Sequence, residues 1–526
     1  MPESSLKLWK NQPLLCVVFA TLSLIFLVTS MVLPLVERGR YASPDETAVV
    51  RVAERLAHGQ SPRIDEPLAV MYPWLHPRSW VSHGAALVPV GFLGWPLVLV
   101  PAAFVGSWML PWLAWLWFIS SVYPFYQLLR RSFSGRSAYL GVLAMVATPM
   151  VLLYANRSLF PNPAVLAGAL WSLWFLESLK KRPSHAWLAG LCVGITIIIR
   201  PIELIWILPW WVWKARDVQW SKSLVVAMGL PVLVLLGVFL SLNAHVYGGV
   251  WAIGYWLRDN PYLNTKMVLS DSHGIKHLFP FGLHPRAILW NLRSFTSSFL
   301  WPSLLCLLGA FTFFCSRLSS PALIFYRARS YAVVWLSAWT GAVLLMIYGS
   351  GLYQDHVQAG AVTVANSFLR YLLPLAPLTG LAAAYLAEHV QAKRTQMIGL
   401  LLLVLYSGFG LYAVAFKDDE GLFATQRELR RYVSIHDQAT HLFPAGSVMI
   451  SDRSDKLFGP ELRVVSPTPP LSEIQRLVRD SQAALQVGLF ARPLSQRERD
   501  DVRRFGLEVL DMGVFGREHL YRVISR

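Results

Sequence analysis

The sequence predicts an α-helical polytopic membrane protein that ends in a small α/β domain. Of its 526 residues, 55% are hydrophobic and only 15% are charged, and the mean hydropathy is +0.45. Apolar runs of about 20 residues, the length that crosses a bilayer as a helix, recur as far as residue 415. A water-soluble core cannot bury this much apolar surface, so we expect a helical membrane domain over residues 1–416 and a second domain over 417–526.

Hydropathy and loop charge together predict about eleven transmembrane helices. We place them at 13–35, 110–129, 137–154, 163–179, 186–199, 202–213, 223–246, 295–315, 331–348, 372–389 and 397–416. With this count the short basic loops all fall on one side, which the positive-inside rule makes cytoplasmic. The first run lacks a small-residue cleavage site and is interpreted as an uncleaved anchor.

Two segments depart from this regular pattern. Residues 84–106 are apolar enough to span, but counting them would move the next five basic loops outside. Because prolines and glycines interrupt the segment, we predict that it is re-entrant or lies on the surface. The spans 186–199 and 202–213 are short and flank Arg200-Pro201, which suggests a thinned membrane or a cavity at that point.

Charge and cysteine usage exclude two other kinds of site. The net charge of +17 lies largely in the short loops, so topology explains it and we expect no nucleic-acid partner. All four cysteines fall within or at the ends of apolar runs, which offers neither a disulfide framework nor a zinc spacing.

The tail after Lys417 has the pattern of a small α/β unit. Strands are predicted at 447–451, 484–490, 507–510 and 519–523, and helices at 471–481 and 495–505. The segment contains no phosphate-binding glycine motif. We expect this domain on the same outer side as the loop at 37–83, where it would help to choose the acceptor.

The first outer loop, residues 37–83, begins with a carboxylate pair, Asp45 and Glu46. Ser43-Pro-Asp-Glu is typical of a helix start, with Ser43 as N-cap and Glu46 as a capping-box partner, and Gly59 closes the helix. One interpretation is that the acids only stabilise the helix N-terminus. The other is catalytic: the helix is amphipathic, would lie flat on the membrane, and would hold Asp45 near the lipid headgroups.

The order of these features resembles the GT-C superfamily of polyprenyl-phosphate-sugar glycosyltransferases, in particular the protein O-mannosyltransferase and aminoarabinose-transferase type. The resemblance rests on one span followed by Pro-Asp-Glu and Ala53-Glu-Arg-Leu-Ala-His-Gly59. It continues with the outer loop Asn156-Arg-Ser-Leu-Phe-Pro161, the run Arg370-Tyr-Leu-Leu-Pro374, and a soluble domain after the last span. It covers residues 13–415, and the order of the motifs is more specific than any one of them.

The resemblance implies inverting transfer of a sugar from a lipid-linked phosphate to an acceptor on the outer face of the plasma membrane. Asp45 would be the general base that takes the acceptor's proton, and Glu46 would orient it or contact the acceptor. No cofactor and no metal are expected. The partners are then a polyprenyl-phosphate sugar, a lipid, glycan or protein acceptor, and membrane lipids.

The leaving lipid phosphate needs cationic partners, and bidentate arginine suits it best. The candidate phosphate-binding residues stand at the outer ends of spans or in the first loop: Arg370, Tyr371, Arg200, Arg157, Arg63 and Arg78. Arginines at span ends also serve as membrane anchors, so that alternative stays open for each.

A second group of candidates would surround the reaction or the acceptor: Glu203, Asn162, Asp355 and His356. Asn162 follows Phe160-Pro161 where relatives often have an acid, and Arg200 stands where relatives often have lysine. Glu203 lies just inside a span, where an ionisable side chain indicates function or a pair with Arg200. His273, His277 and His284 with Asp271 have helical spacing, but glycine and proline interrupt it, which argues against a metal site.

Two other functions fit a polytopic chain. A secondary transporter or lipid flippase would show repeated halves and ionisable residues in mid-span, whereas here they gather at the outer boundary. A non-catalytic envelope scaffold would use Asp45 only as a helix cap.

Overall fold

A computed structural model of the chain describes residues 36–257, 281–298, 324–351, 353, 366–389, 393–417, 420–480 and 485–526. The predicted first span at 13–35 and most of the span at 295–315 lie outside these residues, as do His273, His277, Asp271, Asp355 and His356.

The N-terminal half contains short strands followed by helices. In chain order they are β1 Val36–Glu37, β2 Arg40–Tyr41, α1 Pro44–Ala57, β3 Ile64–Asp65, β4 Trp80–His83, β5 Ala86–Pro89, α2 Gly94–Val105, α3 Met109–Ser120, α4 Val122–Leu129, α5 Gly135–Val146, α6 Pro149–Asn156, α7 Pro161–Ser178, α8 Ala186–Ile199, α9 Leu204–Ala215, α10 Lys222–Tyr247 and α11 Gly254–Leu257.

The C-terminal half contains more helices and then a mixed segment. The elements are α12 Pro285–Ser298, α13 Ile324–Tyr348, α14 Ser367–Tyr371, α15 Ala376–His389, α16 Lys393–Tyr412, α17 Leu422–Leu442, β6 Val448–Ser451, β7 Arg463–Val465, α18 Leu471–Asp480, β8 Val487–Ala491, α19 Gln496–Arg504, β9 Leu507–Phe515 and β10 Glu518–Ser525.

Contacts divide the chain into two compact units. The helical unit comprises Met1–Pro34, Ala114–Leu233 and Pro261–Ala424. The mixed unit comprises Leu35–Leu113, Val234–Asn260 and Thr425–Arg526. The tail therefore groups with the first outer loop, and the division of the chain at residue 417 stays a prediction.

Apolar helices in the helical unit occupy most of the described segments where spans were expected. Among the described residues, α10 alone is long and apolar enough to cross a membrane as one helix. Two bent pairs pass the same test together, α5 with α6 at 67° and Pro183–Ile199 with Pro201–Ala215 at 115°. The second bend lies at Arg200-Pro201, where the two short spans were expected. The count of eleven crossings stays a prediction.

Small residues allow the helices of this unit to approach closely. A Cβ on Gly141 of α5 would lie 2.5 Å from the carbonyl oxygen of Gly380 in α15, and one on Gly168 of α7 would overlap Thr196 of α8. Such small-residue contacts are typical of helix packing in membranes, where close approach replaces the hydrophobic drive.

In the mixed unit, α1 begins at the predicted N-cap, while the capping-box role of Glu46 stays a prediction. The Ser43 side chain accepts from the backbone N–H of Asp45 at 3.3 Å, Pro44 is the first helical residue, and Gly59 follows the helix with φ +68°. The expectation that the apolar face of α1 lies on the membrane is wrong. Its residues Val52 and Ala53 are buried, and α1 packs against α2, so protein covers that face.

Residues 84–106 form strand β5 and helix α2 rather than one continuous helix. The helix has 12 residues. At 1.5 Å per residue it measures about 18 Å, less than the hydrocarbon thickness of about 30 Å. This length agrees with the prediction that the segment is not a simple span.

The tail forms a five-stranded sheet in the order β7-β6-β8-β10-β9. Strand β6 runs parallel to both of its neighbours, β7 and β8, whereas β10 runs antiparallel to both of its neighbours, β8 and β9. All the strands and helices predicted in the tail are present within a few residues, but helix α17 and strand β7 were missed. The two-residue turn between β9 and β10 uses Gly516, whose φ is +69°, as such hairpins require.

The core of this sheet contains residues from the first outer loop. Tyr72 and Leu75, both 1% exposed, pack in one cluster with Val448, Ile450 and Val523. The loop that carries Asp45 and the tail thus share one hydrophobic core, which sequence separation had hidden.

We predict that Gly141→Ala destabilises the helical unit, because its methyl group would meet a backbone oxygen and the Ala384 side chain. Overpacking of this kind typically costs about 1–3 kcal/mol. The matched control is Gly229→Ala in α10, in the same unit, where a Cβ would meet no described atom within 4 Å beyond the neighbouring residues and the backbone of its own helix. Thermal unfolding of the purified protein in detergent measures both, and equal melting temperatures would contradict the close α5–α15 contact.

Candidate functional site

The carboxylate of Asp45 lies at the N-terminus of α1 in the mixed unit. It is half-buried, and its Oδ1 accepts a hydrogen bond from the Ser79 hydroxyl at 2.7 Å. Ser79 is buried and immediately precedes β4. This donor, 34 residues away in the chain, orients the carboxylate and stabilises its ionised form. Sequence reasoning missed Ser79, because no local pattern links a serine at a strand start to a distant helix.

Glu46 differs from its neighbour because it is only 2% exposed. Tyr41 is also buried, and its burial, with the carboxylates of Glu54 and Glu46, raises the pKa of its hydroxyl. Tyr41 therefore stays protonated at neutral pH. The geometry gives Asp45 the more accessible carboxylate of the predicted catalytic pair.

Arg78 has a structural partner. Its guanidinium donates to Asp455 Oδ1 from Nε at 3.0 Å and from Nη2 at 2.7 Å, and its backbone N–H donates to Asp455 Oδ2 at 2.9 Å. The Asp455 side chain is fully buried. This pair makes Arg78 a link between the first loop and the tail, instead of the phosphate contact that we expected.

Arg63 is half-buried in the same loop. Its backbone N–H donates to Ser61 Oγ at 3.2 Å, and its carbonyl accepts from Arg55 Nη2 at 2.9 Å. These contacts involve only the backbone of Arg63, so the phosphate-binding role of its side chain stays a prediction.

Arg200 occupies the break between α8 and α9 in the helical unit. Its φ and ψ are −152° and 90°, and its side chain is buried. Nη2 donates to the Tyr348 hydroxyl at 2.9 Å, and Nε lies 3.4 Å from Glu203 Oε1. The pairing of Arg200 with Glu203 that the sequence left open is therefore present.

Glu203 gathers donors from three elements. Besides Arg200, the Tyr348 hydroxyl donates to its Oε1 at 2.7 Å, and Trp206 Nε1 donates to Oε2. A buried carboxylate with this set of donors is compensated for its loss of water. Tyr348 and Trp206 were not predicted, since both read as ordinary residues of apolar runs.

Two tyrosine rings extend this network towards Arg370. Tyr348 and Tyr371 stack with centroids 4.2 Å apart and planes 5° apart. The Arg200 guanidinium lies 5.4 Å and 5.1 Å from the two ring centroids, and that of Arg370 lies 5.2 Å from Tyr371. Tyr371 thus lies between two of the predicted phosphate-binding arginines.

Phe160 connects the third arginine to the group. Its ring centroid lies 4.9 Å from the Arg157 guanidinium and 4.4 Å from that of Arg370. Arg157 is buried and Arg370 is half-buried. Three arginines from separate parts of the sequence therefore gather around three aromatic rings. We call Arg157, Arg200, Arg370, Tyr348, Tyr371, Phe160 and Glu203 the arginine cluster.

Asn162 lies in the first turn of α7, two residues after Phe160, and is buried. Its Oδ1 accepts no hydrogen bond from the described residues. The backbone N–H of His284 donates to Ser350 Oγ at 2.8 Å. Within the described ranges no group of three His, Cys, Asp or Glu side chains has the spacing of a metal site.

Two crystal structures of ArnT from Cupriavidus metallidurans match the chain. The one bound to undecaprenyl phosphate has a TM-score of 0.53 and 12% sequence identity, and the match covers 97% of this chain and 98% of that one. The apo structure has a TM-score of 0.56 and 12% identity, with 96% and 97% covered. The chain has the ArnT fold. No family model and no curated protein matches the sequence.

This match shows the fold of the chain and no more. The coverage includes the tail as well as the helices, so the whole chain length follows ArnT. At 12% identity the likeness concerns backbone architecture, and the roles of individual side chains have to be argued from their own contacts.

We predict that Glu203→Gln destabilises the protein, because the buried Arg200 guanidinium would lose its counter-charge. Removing one partner of a buried pair typically costs about 3–5 kcal/mol. The matched control is Asp217→Asn, which breaks the half-exposed Lys180–Asp217 pair, worth about 1 kcal/mol or less. Unfolding of the two variants in detergent gives the comparison, and equal losses would show that the Arg200 pair is not buried in the working protein.

Proposed function

We propose that the protein is a membrane glycosyltransferase that moves a sugar from a polyprenyl phosphate to an acceptor on the outer face of the membrane. The observation that carries the proposal is the arginine cluster, in which buried guanidinium groups and stacked tyrosines gather beside a broken helix pair. The ArnT fold supports it, since one ArnT structure holds undecaprenyl phosphate. The resemblance of the sequence to GT-C glycosyltransferases gives the same donor class.

Arg200, Arg370 and Arg157 bind the lipid phosphate of the donor and of the product in this proposal. A guanidinium presents a planar fork of donors that matches two phosphate oxygens, and it keeps its charge when buried. Glu203 and Tyr348 fix the orientation of the Arg200 guanidinium group. The Tyr371 ring contacts the guanidinium groups of both Arg200 and Arg370 and so fixes the distance between them. Fixed cations stabilise the charge that develops on the leaving phosphate.

Asp45 is the general base. The acceptor hydroxyl gives its proton to the Asp45 carboxylate while its oxygen attacks the anomeric carbon. The bond between that carbon and the phosphate oxygen breaks at the same time, and the polyprenyl phosphate leaves with the electron pair. A single displacement inverts the anomeric centre. Ser79 orients the carboxylate, and the buried Glu46 supports it from the neighbouring position instead of contacting the acceptor.

The topology is part of the proposal. We place the first outer loop and the tail outside the plasma membrane and retain about eleven crossings, because the basic loops then lie in the cytoplasm. The sugar belongs to the pentose, aminopentose or hexose donors that polyprenyl phosphates carry, with aminoarabinose favoured by the ArnT fold.

We predict that Asp45→Asn abolishes turnover and leaves the fold intact, because the amide cannot accept the acceptor's proton. Loss of a general base costs about 10²–10⁴-fold in rate. The assay follows release of undecaprenyl phosphate from undecaprenyl-phosphate-linked aminoarabinose, arabinose and mannose by the purified protein, with membrane lipid extract as the acceptor.

The matched control is Asp65→Asn, an exposed aspartate in the same loop, which should retain wild-type turnover. Wild-type turnover in Asp45→Asn would refute Asp45 as the base, and absence of turnover in the wild-type protein itself would favour a transporter, a flippase or a scaffold. A circular dichroism spectrum and melting temperature close to wild type show that lost turnover is not lost structure.

A further inference from the structure

The loop between β6 and β7 contacts both sides of the Asp45 position within the mixed unit. Lys456 Nζ donates to the carbonyl oxygen of Ala42 at 2.6 Å, one residue before the N-cap of α1. Gly459 accepts from Arg40, which precedes the same helix. We call residues 453–459 the clamp loop.

On its other side the clamp loop holds the strand that reaches Asp45. Asp455 accepts three hydrogen bonds from Arg78, one of them from its backbone N–H, and the carbonyl of Arg453 accepts a fourth at 2.6 Å. The next residue is Ser79, whose hydroxyl donates to Asp45 at 2.7 Å. The contacts therefore run without interruption from Asp455 through Arg78 and Ser79 to Asp45.

This chain of contacts is rigid for a physical reason. The Asp455 carboxylate is fully buried, so any movement of Arg78 would leave a charge without donors in a dry environment. Because one of the bonds is to the Arg78 backbone, it fixes the main chain and not only a flexible side chain. The adjacent Ser79 hydroxyl inherits that fixed position.

We propose that Asp455 is a positioning residue for Asp45 and that the tail sets the catalytic geometry through the clamp loop. The inference rests on the proposed function, because it takes from there the role of Asp45 as base. A base must lie within hydrogen-bond reach of the proton that it removes, and a small misplacement lowers the rate by large factors. The tail then acts in catalysis without contacting the substrate.

A second ion pair in the same unit provides the matched control. Arg463 of β7 donates to Glu66 of the first loop at 2.9 Å, and Glu66 is buried. This pair also joins the loop to the tail, but among the described residues neither of its two side chains bonds to Arg78, Ser79 or Asp45. Comparison of Asp455→Asn with Glu66→Gln separates positioning of the base from general attachment of the loop.

The experiment uses the full-length protein in lipid nanodiscs with the undecaprenyl-phosphate-linked donors named above. For Asp455→Asn we expect kcat to fall on the order of 10- to 100-fold with KM close to wild type. The acid limb of the pH–rate profile should move to higher pH, because a displaced Ser79 hydroxyl no longer donates to the Asp45 carboxylate. Hydrogen–deuterium exchange at the amides of residues 45–47 should become faster.

Ser79→Ala tests the same route without touching the buried ion pair, so it remains informative where Asp455→Asn fails to fold. It should shift the acid limb in the same direction. The double variant Asp455→Asn/Ser79→Ala should turn over no more slowly than the slower of the two single variants, since both substitutions interrupt the same series of contacts to Asp45. Asp455→Glu, which restores the charge, should recover part of the lost kcat.

The proposal is overturned by wild-type kcat and wild-type exchange in Asp455→Asn, or by an equal loss of kcat and an equal pH shift in Glu66→Gln. The exchange measurement needs no turnover. Full turnover in Asp45→Asn would therefore refute the proposed base, while exchange at residues 45–47 would still decide whether the clamp loop holds α1.

Discussion

A guanidinium can be buried among apolar helices only when fixed acceptors replace its water, and for Arg200 these are Glu203 and Tyr348. Other features of the helical unit follow from this requirement. The helix breaks at Arg200-Pro201, and this break allows the Arg200 side chain to contact Glu203. Helix α13 ends at Tyr348, next to Arg200 and Glu203. The stacking of Tyr348 on Tyr371 brings the segment that carries Arg370 to the same place. One buried charge thus organises residues from three distant parts of the sequence.

The mixed unit solves a different problem, that of holding an accessible carboxylate in a fixed direction. Helix α1 supplies the position through its cap, while Ser79 supplies the direction through its hydrogen bond to the carboxylate. A loop alone would not keep these two elements in register. Tyr72 and Leu75 anchor the loop in the core of the tail sheet, and the bonds from Arg78 to Asp455 fix the residue next to Ser79. The tail is therefore part of the architecture around Asp45.

Sequence patterns predicted what depends on local periodicity and on charge. The α1 cap, four of the five tail strands, the boundary between the segments 186–199 and 202–213, and the Arg200–Glu203 pair, one of two alternatives for Glu203, all follow from spacing within a few residues. The same patterns did not predict contacts between residues that are distant in the sequence. Ser79, Tyr348 and Asp455 carry no local signal, and Arg78 looked like a phosphate ligand because its partner lies 377 residues away. The apolar face of α1 was assigned to lipid, since amphipathicity alone does not tell protein from membrane.

In the proposed mechanism the arginine cluster holds a polyprenyl phosphate. A cryo-EM structure of the full-length protein in nanodiscs with undecaprenyl phosphate would show where the phosphate binds. We expect the phosphate oxygens to lie about 2.9 Å from guanidinium nitrogens of Arg200, Arg370 or Arg157, with the Tyr348 and Tyr371 rings still stacked. Phosphate density remote from all three arginines, in a map where the lipid is resolved, would contradict the account.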